Sequence, residues 1–140
     1  MFKRLTDDVW VAGQLRADDF ARAAAAGVRT VLNNRPDGEA PDQLAHADAQ
    51  QAAARAGLVY HYLPVANGAL TFETVATMRA LLAAAETPVL AYCNSGTRST
   101  FLWAFASAEW LTSDAIVEAA RGAGYELSGI VPQLDALHKG

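Results

Sequence analysis

The chain has 140 residues, of which 52% are hydrophobic, and this length predicts one folded domain spanning residues 1–140. A formal net charge of -4 without any basic stretch argues against nucleic-acid binding. No apolar run is long enough to cross a bilayer, and the basic start is followed by Thr6-Asp7-Asp8, so we expect neither a membrane span nor a signal peptide. A single cysteine excludes an internal disulfide and a four-cysteine zinc site, and we expect a cytoplasmic protein without metal or cofactor.

Short β-branched or apolar runs alternate with alanine-rich segments that end at glycines. In chain order, the pattern predicts a strand at 9–11, a helix at 18–26, a strand at 28–32, a helix at 42–56, a strand at 58–63, a helix at 71–86, a strand around Leu90, and helices at 99–110, 112–122 and 128–137. This alternation favours an α/β three-layer sandwich, in which helices flank a mostly parallel sheet of four to five strands.

Three loops follow predicted strands, at residues 33–41, 64–70 and 93–98. In parallel sheets, ligands bind at the carboxyl ends of the strands, where such loops lie together. We therefore expect the functional site to be built from these three loops.

The third loop carries the chemistry that is easiest to recognise. Cys93 and Arg98 are separated by four residues, and a helix is predicted to begin near Ser99. Free amides at a helix start and in a tight loop bind anions, and they also favour a thiolate. Arg98 could grip two oxyanion oxygens, and Ser99 or Thr100 could donate a hydroxyl proton to the sulfur. The predicted oxyanion-binding residues are Asn94, Ser95, Gly96, Thr97, Arg98 and Ser99.

The segment from Tyr92 to Ser99 resembles the nucleophile loops of two enzyme classes. Protein tyrosine and dual-specificity phosphatases have His-Cys, five residues and Arg-Ser or Arg-Thr, whereas single-domain rhodaneses have Cys, four residues and Arg. The loop here has the rhodanese length, and Tyr92 replaces the histidine. A buried structural cysteine beside a surface arginine is the alternative without any catalytic role.

The rest of the chain resembles a bacterial family, the phosphatase-like domain of beta-lactamase hydrolase-like proteins. The resemblance is carried by the segments 34–39 and 64–68 together with the Cys93 loop. It implies a cysteine-phosphatase-like fold, and it implies a link to sulfide and persulfide handling as well as to phosphatase chemistry.

Two chemistries remain open for Cys93, and they differ in their need for an acid. A phosphatase protonates its leaving group, yet the 64–70 loop has no carboxylate. Asp37 is our best candidate acid, ahead of Glu39 and Asp42, although Asp37 could simply form a turn. Arg35 is predicted to be a second anion contact, or else a structural cation.

Sulfur transfer needs no acid, because sulfite or a thiolate leaves thiosulfate or a persulfide without being protonated. Cys93 would carry the sulfur as a persulfide, and an external thiol would accept it, since no second cysteine is present. The sequence therefore predicts sulfane-sulfur transfer first, hydrolysis of phosphate monoesters through a phosphocysteine second, and a non-catalytic oxyanion-binding domain third.

Overall fold

The computed structural model describes residues 1–139 and shows a five-stranded sheet with helices on both faces. The strands are β1 (Lys3–Arg4), β2 (Val9–Ala12), β3 (Thr30–Asn33), β4 (Val59–Tyr62) and β5 (Val89–Tyr92). The helices are α1 (Ala17–Ala25), α2 (His46–Arg55), α3 (Phe72–Ala84), α4 (Thr97–Ser107), α5 (Ser113–Gly122) and α6 (Val131–Leu137), the last preceded by a 3-10 turn at Ser128–Ile130.

The strand order is β1-β2-β5-β3-β4, and only β1 runs antiparallel to its neighbour. The last residues of the parallel strands are in register, because Tyr92 pairs with both Ala12 and Asn33, and Asn33 pairs with Tyr62. The segments that follow these four strands therefore open on one edge of the sheet. The predicted α/β class, the mostly parallel sheet and the convergence of the three loops are confirmed.

Two buried clusters lie on opposite faces of the sheet, because successive strand residues point to opposite sides. Tyr92 packs with Phe20 and the α1–α2 layer, and the two rings meet edge to face with centroids 6.3 Å apart. Ala91 faces the larger cluster, where α4 contributes the buried Leu102 and Trp103. Helix α4 is therefore held firmly against the sheet just below the Cys93 loop.

Two helix starts differ from the predicted ones. Helix α2 begins at His46 rather than near residue 42, and the His46 amide donates to the Asp37 carboxylate at 2.8 Å. Helix α4 begins at Thr97 rather than near Ser99, because Gly96 adopts a left-handed φ of 91° and allows the chain to enter the helix directly. The short strand β1 was not predicted, since two exposed residues carry no hydrophobic pattern.

No helix within residues 1–139 is both long enough and apolar enough to cross a membrane. Over the same residues, no three His, Cys, Asp or Glu side chains form a group that could hold a metal ion.

Candidate active site

Cys93 directly follows β5, and its loop leads into the first turn of α4. The thiol is buried, and the Gly96 amide donates to its Sγ atom at 3.1 Å. A Cβ atom on Gly96 would collide with the Tyr125 hydroxyl, so both the space and the positive φ require glycine here. The loop thus places the Cys93 sulfur at the start of α4, within hydrogen-bond distance of a backbone amide.

Arg98 lies in the first turn of α4 and joins the three predicted loops. Its Nη1 atom donates to the Val65 carbonyl at 2.8 Å, and Nη1 and Nη2 form a fork with the two Glu39 carboxylate oxygens at 2.8 Å each. The bonds to Glu39 raise the pKa of the guanidinium, and the nearby Cys93 sulfur raises it further, against the opposing effect of burial. The guanidinium is therefore held in place beside the sulfur before any ligand arrives.

Glu39 is the centre of an ion cluster that also contains Arg35. The Arg35 Nε atom donates to Glu39 Oε1 at 2.9 Å, and its Nη1 atom donates to Gln14 Oε1 at 3.0 Å. The hydrogen bond from Arg98 is the largest influence on Glu39, and with the weaker contribution of Arg35 it outweighs burial and lowers the Glu39 pKa from 4.5 to about 2. The structure places Arg35 in the same ion cluster as Arg98, where its partner is the Glu39 carboxylate.

Asp37 has no hydrogen bond to the Cys93 loop within residues 1–139. Its Oδ1 atom accepts a hydrogen bond from the amide of His46, the first residue of α2, and its own amide donates to the Tyr62 hydroxyl at 3.0 Å. The carboxylate expected to act as a general acid is therefore bound to the start of α2 in this structure. A carboxylate at a helix N-terminus is stabilising, because it accepts hydrogen bonds from amides that have no partner within the helix.

Ser99 does not support the thiolate as predicted. Its hydroxyl proton goes to the Asn34 side-chain oxygen at 2.8 Å, so it is not available to the sulfur. Asn34 is fully buried, and its Nδ2 group donates to the Leu63 carbonyl at 3.0 Å while its amide donates to the Tyr92 carbonyl at 2.8 Å. Asn34 thus ties the ends of three strands to α4. Its position directly after an apolar strand is the sequence signal for this role, and Asn34 was not among the predicted site residues.

The polar side chains of the Cys93 loop mostly bond to one another. Ser95 Oγ lies 2.9 Å from Thr97 Oγ1, and the Ser95 carbonyl accepts from the Tyr125 hydroxyl at 2.9 Å. The Asn94 carbonyl accepts from the Gln14 amide at 3.1 Å. The Ser95 and Thr97 hydroxyls are therefore engaged with each other in this structure. Gln14 and Tyr125 were not predicted, because each lies far along the chain from Cys93.

The sequence model of one family, described as the phosphatase-like domain of beta-lactamase hydrolase-like protein, matches residues 1–110. A beta-lactamase hydrolase-like protein of Xylella fastidiosa is 39% identical over 94 residues, which are 67% of this chain and 22% of that protein. One from Agrobacterium fabrum is 34% identical over 105 residues, which are 75% of this chain and 24% of that protein. The chain thus spans about a quarter of the length of these relatives.

Solved structures with the same fold are phosphatase-like. The crystal structure of a candidate phosphatase from Neisseria meningitidis is 35% identical with a TM-score of 0.85, and the match covers 96% of both chains. The crystal structure of PTPMT1, at 17% identity and a TM-score of 0.72, covers 98% of this chain and 93% of its own, and it shows the fold alone. The resemblance noted in the sequence is confirmed, and the chain belongs to the family of the phosphatase-like domain of beta-lactamase hydrolase-like proteins.

Proposed function

We propose that the protein is a cysteine-dependent phosphatase that hydrolyses a small phosphate compound through a phosphocysteine on Cys93. The observation that carries the proposal is the convergence of the Cys93 sulfur, the Gly96 amide and the Arg98 guanidinium at the start of α4. Membership of a phosphatase-like family supports this chemistry over sulfur transfer, and so reverses the order that the sequence alone favoured.

In this proposal, Cys93 is the nucleophile, and positively polarised groups that are fixed in position stabilise the phosphoryl oxygens. The Cys93 thiolate attacks phosphorus, the S–P bond forms, and the bond from phosphorus to the leaving oxygen breaks with its electron pair remaining on that oxygen. Unpaired amides of the first turn of α4 and the Arg98 guanidinium stabilise the phosphoryl oxygens. Water then attacks the phosphocysteine, loses its proton to solvent, and releases phosphate and the thiolate.

Glu39 acts in this scheme as a positioning residue. Its forked pair with Arg98 uses both terminal nitrogens of the guanidinium, so the plane of Arg98 is set before the substrate binds. The entropy of ordering a long side chain is then already lost in the free protein, which makes substrate binding more favourable.

Sulfur transfer is the second candidate, and two observations favour it. The loop has four residues between Cys93 and Arg98, and Asp37, the expected acid, bonds instead to the start of α2. In this scheme Cys93 attacks the outer sulfur of thiosulfate, the S–S bond breaks, and sulfite leaves with the electron pair. An external thiol would then take the sulfur from the persulfide.

Mass spectrometry of the quenched enzyme distinguishes the two chemistries. After reaction with p-nitrophenyl phosphate we expect Cys93 to gain about 80 Da as a phosphocysteine, and after thiosulfate the alternative would add about 32 Da as a persulfide. The Cys93→Ser variant must show neither adduct. A persulfide that turns over with cyanide, without any phosphate release from the aryl ester, would overturn the phosphatase proposal.

A matched pair of arginine variants tests the oxyanion site. Arg98→Lys should lower kcat/KM for p-nitrophenyl phosphate by about 100-fold, because a lysine ammonium cannot reproduce the paired hydrogen bonds that a guanidinium donates. Arg79→Lys is the control, since Arg79 also bonds to a backbone carbonyl and pairs with a carboxylate, but on α3 and away from the loop. Equal activity of the two variants would contradict the role given to Arg98.

A further inference from the structure

Building on the proposed phosphatase function, we infer that the substrate is a phosphoanhydride. Its terminal phosphoryl group is taken by Cys93, and the leaving phosphate binds in a neighbouring pocket that contains Arg16 and Arg35. Two independent features carry this inference, namely the state of the carboxylates around the site and the composition of that pocket.

Two of the three candidate acids predicted from the sequence, Glu39 and Asp37, are already engaged by other groups. Glu39 stays ionised, because Arg98 and Arg35 hold its pKa at about 2. Asp37 bonds to the amide of His46 at the start of α2, away from the sulfur. The 64–70 loop has no carboxylate at all.

Two further carboxylates line the neighbouring pocket, and neither is suited to act as an acid. Asp19 is buried, and its oxygens accept from the Arg16 amide and from Arg22 at 2.8 Å each. Asp42 is exposed, and it shares the pocket with the cations Arg16 and Arg35. Asp19 is thus engaged at the start of α1, and within residues 1–139 Asp42 has no hydrogen bond or ion pair that would hold it toward Cys93 or Arg98. We therefore expect the leaving group to depart without a proton.

The pocket beside the loop has a volume of about 730 Å³, and Asn94, the residue that follows Cys93, forms part of its wall. Its polar wall is formed by Gln14, Arg16, Arg35, Gln43 and Asn94 together with the two aspartates. Arg35 is more than nine-tenths buried, and its bonds to Glu39 and Gln14 use Nε and Nη1, so Nη2 can meet a ligand. Arg16 forms no ion pair with any other side chain of residues 1–139. Two guanidinium groups in a pocket that reaches Asn94, the residue after Cys93, fit an anionic leaving group.

A phosphoanhydride satisfies both conditions. When Cys93 attacks the terminal phosphorus, the S–P bond forms and the bridging P–O bond breaks, leaving the electron pair on the bridging oxygen. That oxygen becomes one of the ordinary oxygens of the leaving phosphate, which needs no proton to be stable. Arg16 and Arg35 stabilise the added negative charge, and water completes hydrolysis of the phosphocysteine.

A series of aryl phosphates tests the missing acid. The phenols should span pKa values from about 5 to 10, and without an acid log kcat/KM should fall steeply, by about one for each unit of phenol pKa. With an acid the dependence would be nearly flat. Asp37→Asn and Asp42→Asn should leave the slope unchanged. A flat series, or a loss in either variant that is confined to the poorest leaving groups, would overturn the inference.

A comparison of inorganic tripolyphosphate with p-nitrophenyl phosphate, in EDTA, tests the pocket. In Arg16→Gln, we expect the ratio of kcat/KM for tripolyphosphate to that for the aryl ester to fall about tenfold, because one of two cationic contacts is lost. Arg55→Gln on the exposed side of α2 is the control, and its ratio should equal that of the parent protein. An unchanged ratio in Arg16→Gln would refute a leaving-phosphate site.

The failures of the two proposals can be told apart. If aryl phosphates react through Cys93 but the leaving-group series is flat or tripolyphosphate is not cleaved, the phosphoanhydride inference is wrong and the phosphatase function stands. If no phosphate compound yields phosphocysteine, the phosphatase function fails and the inference fails with it.

Discussion

Replacing Glu39 by glutamine is the substitution that tests the organisation of this site most directly. Glu39 accepts two hydrogen bonds from Arg98 and one from Arg35, and its side chain is 24% exposed. Glutamine has nearly the same shape, but it lacks the charge and has only one acceptor oxygen. Two guanidinium groups would then face each other without the anion that separates them.

The size of the effect follows from the pKa of Glu39. A fall from 4.5 to about 2 would correspond to about 3 kcal/mol of folded-state stabilisation, at 1.36 kcal/mol for each factor of ten in the ionisation constant. Solvent around a partly exposed pair weakens this, so we expect Glu39→Gln to lower the free energy of unfolding by about 1 to 2 kcal/mol. We also expect kcat/KM to fall about 10- to 100-fold, because Arg98 loses its fixed orientation.

The control is Glu126→Gln. Glu126 also has its pKa lowered to about 2, mainly by a forked hydrogen bond with an arginine, Arg121, but this pair lies on the surface. Activity of the control should equal that of the parent protein. Steady-state kinetics with p-nitrophenyl phosphate and urea denaturation measure the two effects separately.

The direction of the pH dependence is set by the same pKa. The folded-state value lies below the unfolded one, so the contribution of Glu39 to stability is complete above about pH 4.5 and is lost as the pH falls toward 2. Glu39→Gln should remove part of the loss of stability seen over this range. Full or increased activity of Glu39→Gln would contradict the positioning role of Glu39, because it would mean that Glu39 competes with substrate for Arg98.

Four further substitutions test the scaffold. Asn34→Ala should lower the free energy of unfolding by about 2 to 3 kcal/mol and reduce activity, because it leaves buried polar partners unpaired; urea denaturation and kinetics measure this. Gly13→Ala should reduce kcat/KM with little loss of secondary structure by circular dichroism, because its Cβ atom would lie 2.9 Å from the Asn94 carbonyl oxygen and push the Cys93 loop aside. Leu102→Ala, in the core, should cost about 2 to 5 kcal/mol in thermal unfolding. The exposed Phe72→Ala should change stability by less than about 0.5 kcal/mol, and similar losses in these last two would contradict the assignment of the core.

Local sequence patterns predicted a large part of the fold. Alternating apolar runs and alanine-rich segments predicted the parallel sheet and its flanking helices, because strand and helix periods depend on nearby residues only. Thr71 was predicted to begin α3, and its hydroxyl does accept from the Thr74 amide at 3.2 Å. Such caps can be predicted from sequence, because the cap residue and its hydrogen-bond partner are only three residues apart.

Interactions between distant residues were decided by the tertiary structure. The Cys93 loop could be recognised in the sequence, because Cys93, Gly96 and Arg98 lie close together along the chain. No local pattern distinguishes Glu39 from Asp37 as the residue that meets Arg98, since both lie in one polar loop. That choice depends on how far the loop extends past β3 before α2 begins.

The residue pattern alone therefore predicted the fold class, the family and the loop from Cys93 to Arg98. The electrostatic state of the site emerged only from the folded chain, in which Arg98 pairs with Glu39, Ser99 bonds to Asn34, and Asp37 bonds to the start of α2. Charges and hydrogen bonds act over a few ångströms in space, and folding alone sets which of these side chains come that close.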